Sequence, residues 1–358
     1  MSSPIRKIVK SFLQAAHLLG PARRLIALNA DGRRIVMLLA DAMSAWWGRT
    51  IRYRHKPPSV KQELSSLPSI HSDVHDTSLH IQNPKLLSLY ERYHARTPYL
   101  RITSPLWHHI PHQMDLRNFR DHCGYLWTTE SAFRYKTAAR YVSRFDQFNL
   151  LRLFGEDNAF GCRTYRWNGV DISRDKLDSI TEIYYLIRRF GLNVCDQVKV
   201  LDIGAGYGRL AHRFTTLFKR AEYYCVDAIP ISTFLCEFYL RFRKAKRTHV
   251  VPFDQLDTLA QHRFDFAINV HSFPEQTSDS IECWMSLLDS LDLKRLVVVD
   301  HTGRWLTMEH PDNHWSCYFP ILQKHGWSLI DARPKYETVF GHVFGIYPEA
   351  VYALFARA

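Results

Sequence analysis

The chain has 358 residues, 46% of them hydrophobic and 23% charged, a balance that excludes a disordered or fibrous protein. The formal net charge is +12, and it is uneven: residues 1–63 carry 12 Lys/Arg against 3 Asp/Glu, while the rest of the chain is close to neutral. Seven cysteines at irregular spacing form no C-x-x-C pair, so neither a disulfide framework nor a zinc site is expected. They suit a reducing, cytoplasmic compartment. No run approaches the ~18 apolar residues of a membrane span.

Residues 1–54 read as a basic, amphipathic helical arm. Its segment from Ile35 to Trp47 is apolar nearly all round and flanked by Arg33, Arg34 and Arg49. Such a helix lies in a membrane interface or packs on protein, and both readings stay open. The arm lacks the Gly/Arg/aromatic interleaving of strand-tracking segments, which argues against nucleic acid. Residues 55–82, with Pro57-Pro58 and several serines, read as a linker. Residues 83–172 read as a helical and irregular substrate-side region, broken late by Phe154-Gly155, Phe160-Gly161 and Asn168-Gly169. The spacing predicts a helix over 174–190, with Ser173 as N-cap and Gly191 as its stop. From 198 the rhythm alternates. Strands are expected at 198–203, 222–227, 248–251, 264–270 and 295–300, with two more within 326–332 and 338–356. That pattern predicts an α/β fold over 173–358, Rossmann-like, with a mostly parallel seven-stranded sheet.

The most informative stretch is Val198-Lys-Val-Leu-Asp-Ile-Gly-Ala-Gly-Tyr-Gly-Arg209. It is a buried strand, a glycine turn and a helix start. A dinucleotide fold asks for G-x-G-x-x-G, whose third glycine lets helix and strand pack closely. Here that place holds Arg209, and the glycines stand at 204, 206 and 208. The tighter G-x-G-x-G behind an acid points instead to S-adenosylmethionine (SAM) and a class I methyltransferase fold. Gly204, Ala205, Gly206 and Gly208 would bring backbone close to the methionine part, and Asp202 would accept from its ammonium. Asp227 ends the second strand, where a carboxylate can accept from both ribose hydroxyls. Ala228 would flank the adenosine. Asp254, beside Phe253 and Gln255, is a candidate for the adenine amino group. Asn269 lies at the end of the fourth strand on the cofactor side.

These residues resemble a bacterial family of sugar O-methyltransferases. The resemblance rests on Val200 to Ala211, on the aromatic second strand ending in Asp227, and on Asn269-Val-His-Ser-Phe-Pro-Glu275. Leu106-Trp107 and Phe119-Arg120 fit the segment that precedes the fold in that family. It covers roughly residues 85–350 and leaves the basic arm unexplained. It implies SAM as cofactor and a sugar or glycan hydroxyl as acceptor.

A sugar hydroxyl is a weak nucleophile, so a base at the acceptor side is expected. His271 is the first candidate, with Glu275 on the same turn. Asp300-His301, closing the fifth strand, is the second pair; Asp300 would hold His301, or both would bind a divalent ion. No repeated carboxylate cluster supports a metal, and none is expected. The segment His310 to Trp315 would either cap the acceptor pocket, with Trp315 against a sugar face, or form a surface loop. Methylation of another small molecule or of RNA, and a non-catalytic protein that keeps the fold, are the alternatives.

Overall fold

The computed structural model describes residues 119–120, 131–308 and 315–358. The arm, the linker, the segment Leu106-Trp107 and residues 310–314 lie outside them.

Five short, apolar runs rich in Val, Ile, Leu, Phe and Tyr form the parallel part of the sheet. They are β3 (Lys199–Ile203), β4 (Glu222–Val226), β5 (Thr248–Val250), β6 (Phe266–Val270) and β7 (Arg295–Asp300). Strands buried on both faces read as continuous apolar runs, as β3, β6 and β7 do. β10 (Ser328–Pro334) and β11 (Val351–Ala356) complete the sheet in the order β10-β11-β7-β6-β3-β4-β5, with β11 antiparallel to both its neighbours. The chain winds outward from β3 to β5 and then returns to the other side of β3 with β6. The order therefore reverses between β3 and β6, where α/β sheets open a ligand crevice at the carboxyl ends of the strands.

Helices cover both faces. α3 (Arg174–Phe190) and α4 (Arg209–Leu217) pack one face, where Ile180, Ile183 and Phe214 meet Val200 and Tyr223. α6 (Ser278–Ser290) and the short α7 (Phe319–Lys324) cover the other, where Trp284, Met285 and Trp327 meet Leu201, Ile203 and Phe355. α3 has the expected bounds: the Ser173 Oγ accepts from the Lys176 N–H at 3.0 Å, and Gly191 ends it. α5 (Pro230–Phe242) follows β4 and starts on a proline, whose missing N–H costs nothing at a helix start. No helix among the described residues is long and apolar enough to cross a membrane.

Three differences from the expected elements have local causes. Between β5 and β6 the chain makes a 3-10 run, Phe253–Gln261, kinked at Gln255. Within 338–356 only β11 is strand. Thr338 caps a short helix, α8 (Val339–Phe344), by accepting from the Gly341 N–H. The region before 173 contains α1 (Ala132–Val142), the single turn α2 (Leu150–Leu153), and a hairpin of β1 (Tyr165–Trp167) and β2 (Val170–Ile172). Asn168 and Gly169 both take positive φ, the two-residue turn that suits a twisted hairpin. A second hairpin pairs β8 (Leu306–Met308) with β9 (Trp315–Cys317).

Candidate active site

The glycine turn leaves β3 and enters α4 across the crevice. The N–H groups of Gly204 and Ala205 both reach the Val226 carbonyl, at 2.8 and 3.2 Å, which ties the turn to the end of β4. Gly204 has φ +72, and a Cβ there would stand 2.1 Å from the Ser272 Oγ, so the loop after β6 abuts the glycine turn directly. Gly208, at φ +81, leaves no room for a Cβ beside the Cys236 Sγ, 2.9 Å away on α5. Arg209 then opens α4. Its guanidinium forms two 2.7 Å bonds to Glu182 of α3 and one of 3.0 Å to the Ser179 Oγ. An ion pair thus joins the two helices where a dinucleotide fold would use glycine for close contact.

Two buried carboxylates face this turn. The Asp227 Oδ2 accepts from the Gly206 N–H at 3.0 Å and its Oδ1 from the Ile229 N–H at 2.8 Å. The carboxylate is thereby fixed in orientation, and each oxygen keeps a lone pair for a ribose hydroxyl. The Asp202 Oδ2 accepts from the Tyr223 hydroxyl at 2.9 Å, while its Oδ1 is buried with no partner among the described residues. An orphaned buried acceptor is costly alone and fits an ammonium donor. Burial pushes both acids up to about 7, against the Tyr223 bond at Asp202 and the two backbone N–H groups at Asp227. The ionised form is the stronger acceptor, for the ammonium at Asp202 and for two hydroxyl donors at Asp227, so binding should release protons near neutral pH. SAM affinity is expected to weaken as pH falls below about 7 and to level off above it. Calorimetric titrations in buffers of different ionisation enthalpy would read the protons released; no release at pH 6–7 would contradict the raised pKa of these acids.

The other expected cofactor residues are placed as follows. Ala228 is buried behind Asp227. Asp254 is exposed at the start of the 3-10 run, and Phe253 turns its ring towards Trp284, with centroids 5.7 Å apart. Asn269 is fully buried as a clamp: its Nδ2 donates to the Ile203 carbonyl at 2.8 Å and its Oδ1 accepts from the Phe273 N–H at 3.0 Å. It holds β6, β3 and the following turn together, with its amide already engaged by backbone.

That turn carries the base candidates. His271 continues the sheet by donating its N–H to the Val299 carbonyl at 2.9 Å, then takes φ +62. Non-glycine residues rarely adopt this conformation, and where they do they often sit at functional sites. The Gln276 Oε1 accepts from both Ser280 Oγ and Trp284 Nε1, and its amide donates to the Ser272 Oγ at 2.5 Å, so the turn is rigid. The His271 ring faces His301 and Tyr347, with centroids 4.9 and 5.4 Å away, and its Nδ1 has no partner among the described residues. Burial, then the neighbouring His301 and Arg174, hold His271 neutral well below the usual range. Burial also lowers His301, to about 4, despite the nearby Asp300. Glu275 reaches the far side of His301, with Oε1 3.9 Å from Nε2.

Asp300 does not hold His301. Its Oδ1 accepts from the N–H groups of Thr302 and Gly303, at 2.9 and 2.6 Å, and its Oδ2 from the Tyr318 hydroxyl at 2.6 Å. A buried carboxylate at a strand end satisfies the next turn first, so Asp300 shapes the loop that carries His301. Trp315 lies on β9 and is 53% exposed.

Sequence reading missed a buried ion network beneath the glycine turn. Arg120, fully buried, donates to Asp175 (2.9 Å), Glu156 (2.8 Å), Asp157 (3.2 Å) and the Ala159 carbonyl (3.2 Å). Arg213 of α4 adds a bond to Glu156, and Arg243, just past α5, adds two to Asp157. Tyr207 of the glycine turn donates to Asp175. Three guanidinium groups therefore balance three carboxylates. Burial would raise Glu156, but Arg120 and Arg213 hold it down at about 2. Glu156, Cys162 and Asp175 converge closely enough to hold a metal ion, yet the Arg120 guanidinium already supplies the cation there. Replacing Arg120 with Met would leave buried carboxylates without a counter-charge, a change that costs about 3–5 kcal/mol. Urea denaturation of Arg120→Met should show that loss; unaltered stability would mean the network is not energetically coupled.

Strand order, glycine turn and second-strand carboxylate are together those of the Rossmann-like class I methyltransferase fold, in which this crevice takes SAM. The sequence matches the family described as methyltransferase small domain over residues 166–290. No curated protein matches the chain. Similar solved structures include a SAM-dependent methyltransferase from Aquifex aeolicus, 12% identical, spanning 48% of this chain and 87% of that one, with a TM-score of 0.33. Magnesium protoporphyrin IX methyltransferase from Synechocystis PCC 6803, with bound SAM, is 16% identical over 64% of this chain and all of its own, with a TM-score of 0.36. Fibrillarin from Aeropyrum pernix, also with SAM, is 15% identical over 58% and 86%, with a TM-score of 0.37.

Proposed function

We propose that the chain transfers the SAM methyl group to a hydroxyl of a sugar or glycan, with His271 as the general base. The observation that carries this is the His271 imidazole: neutral, unpartnered at Nδ1, and fixed on a turn that touches the glycine loop at Gly204. SAM, when bound, supplies a methyl already activated by its sulfonium. The protein's part would be to position the acceptor hydroxyl towards that carbon. His271 would take the hydroxyl proton as the oxygen–methyl bond forms and the sulfur–methyl bond breaks, the sulfur keeping that bond's electron pair. Histidine held unprotonated is ready to accept without first losing its own proton. His301 lies beside it, and Glu275 stands near His301, with Oε1 3.9 Å from Nε2. Tyr347, with the Arg174 guanidinium 4.9 Å from its ring centroid, sets an aromatic ring beside His271, of the kind that packs on the apolar face of a sugar.

The sugar itself is supported by the resemblance of Asn269 to Glu275 and by this aromatic, neutral-base pocket. Incubating the protein with methyl-labelled SAM and a panel of sugars, nucleotide sugars and oligosaccharides tests it. O-methylated saccharide detected by mass spectrometry is expected. Label appearing only in RNA or in non-sugar small molecules would overturn the sugar reading while leaving the methyltransferase intact.

A further inference from the structure

A groove of about 210 Å³ opens on the outer side of α1, between that helix, Trp167 of β1 and Phe340 of α8. Its walls combine aromatic rings with positive charge. Phe133 packs edge-on against Phe340 and Phe344, at 6.2 and 5.6 Å, while Phe340 remains 49% exposed. Lys136 and Arg140 stand one helical turn apart on the α1 rim. Neither forms an ion pair among the described residues. The volume falls below the ~300 Å³ at which pockets take a whole ligand, so the groove suits part of a larger one.

The same segment that walls the groove also lines the base cluster. α8 runs on to Gly345, whose carbonyl accepts from Arg134 of α1 at 2.9 Å. The Ile346 carbonyl accepts from Lys335 and from the Tyr336 hydroxyl, at 2.9 and 3.0 Å. Tyr347 then meets the His271 and His301 rings. Phe340 and Tyr347 are seven residues apart, so groove and base cluster are at most about 25 Å apart along this connection.

We infer that the groove is an outer subsite for an acidic sugar unit of the acceptor, with a ring held by Trp167 and Phe340 and its carboxylate or phosphate by Lys136 and Arg140. This rests on the sugar reading of the methyl-transfer site. The basic rim selects an anionic ligand over a neutral or cationic one. The aromatic rings select one with a flat, weakly polar face. An acceptor gripped at both places is a chain of linked sugars and not a free monosaccharide.

The test uses the full-length protein on an array of oligosaccharides that bear uronate, phosphate or no charge, with phosphatidylglycerol vesicles as a separate arm. Acidic oligosaccharides should be retained by the unaltered protein and by His271→Ala, and neutral ones much less. The double change Lys136→Glu, Arg140→Glu should weaken retention by about tenfold or more, since two attractive contacts are replaced by repulsion. Trp167→Ala should weaken uronate and phosphate ligands alike, and SAM affinity should be unchanged in both variants, which confirms a folded domain. Equal retention by the variants, retention of no acidic oligosaccharide, or groove-dependent capture of vesicles alone would overturn the subsite. Groove-dependent glycan binding without sugar methylation would instead remove the sugar reading of the catalytic site and leave the groove standing. Sugar methylation with an inert groove would do the reverse.

Discussion

Asp227→Ala is expected to weaken SAM binding by about 10²–10⁴-fold. Each ribose hydroxyl donates to an ionised carboxylate, a bond worth about 1.5–3 kcal/mol, and both are lost together. The backbone loses as well: the N–H groups of Gly206 and Ile229, which now point at Asp227, would be left facing an alanine methyl. Asp227→Asn is a sharper probe. It keeps the shape, but an amide has one oxygen for two N–H donors, and its own NH₂ must face one of them. It should also bind SAM poorly. Near-normal affinity in Asp227→Asn would place the ribose elsewhere.

His271→Ala should lower kcat by about 10²–10⁴-fold, the usual contribution of a positioned base, while SAM affinity stays within about twofold. The separation follows from the geometry. The His271 ring points to His301 and Tyr347, whereas the glycine turn meets the neighbouring Ser272. Relief of the φ +62 backbone at 271 works through the same turn, so His271→Asn, which tolerates that conformation, is the matched control. If His271→Asn retained full turnover, the proton would be leaving by another route, and His301 with Glu275 would be the pair to examine. The rate of the unaltered protein should be insensitive to pH through the neutral range as far as this histidine is concerned, since burial keeps it neutral there.

Much of the fold was legible because its signals are local. Ser173, Asp175 and Gly191 bracket α3 within one segment, and cap chemistry is read residue by residue. The strands β3, β4, β6 and β7 announced themselves as apolar runs between polar turns. The strand–helix alternation pointed to a parallel sheet but not to the order of its strands, which pairing across the chain decides. The exceptions also have local reasons, though weaker ones. Thr338 and Gly341 nucleate α8 in a stretch whose composition otherwise suits a strand, and the tertiary setting decides between them.

The site divides in the same way. The places of the glycine turn, Asp202 and Asp227 around the ends of β3 and β4 were legible from spacing. What Asn269 and Asp300 do was not. Asn269 reads as a ligand-side residue, but its partners are the Ile203 carbonyl, 66 positions away, and the Phe273 N–H. Asp300 stands next to His301 in sequence, but a strand places adjacent side chains on opposite faces, and its partner proved to be Tyr318. The ion network is less legible still. Arg120, Glu156, Asp175, Arg213 and Arg243 are scattered over more than a hundred residues, and no period links them. One clue was present: Phe119-Arg120 belonged to the family resemblance without a role. Phe119 stacks on Phe160 at 4.8 Å and edges Tyr207 at 5.3 Å, so this pair packs against the glycine turn.

The central claim is that the crevice between β3 and β6 binds SAM through Asp202, the glycine turn and Asp227. Isothermal titration of the purified protein with SAM tests it most directly. One site is predicted, with proton release near pH 7 and binding lost in Asp227→Ala. No binding by the folded protein, or binding that Asp227→Ala leaves unchanged, would contradict it.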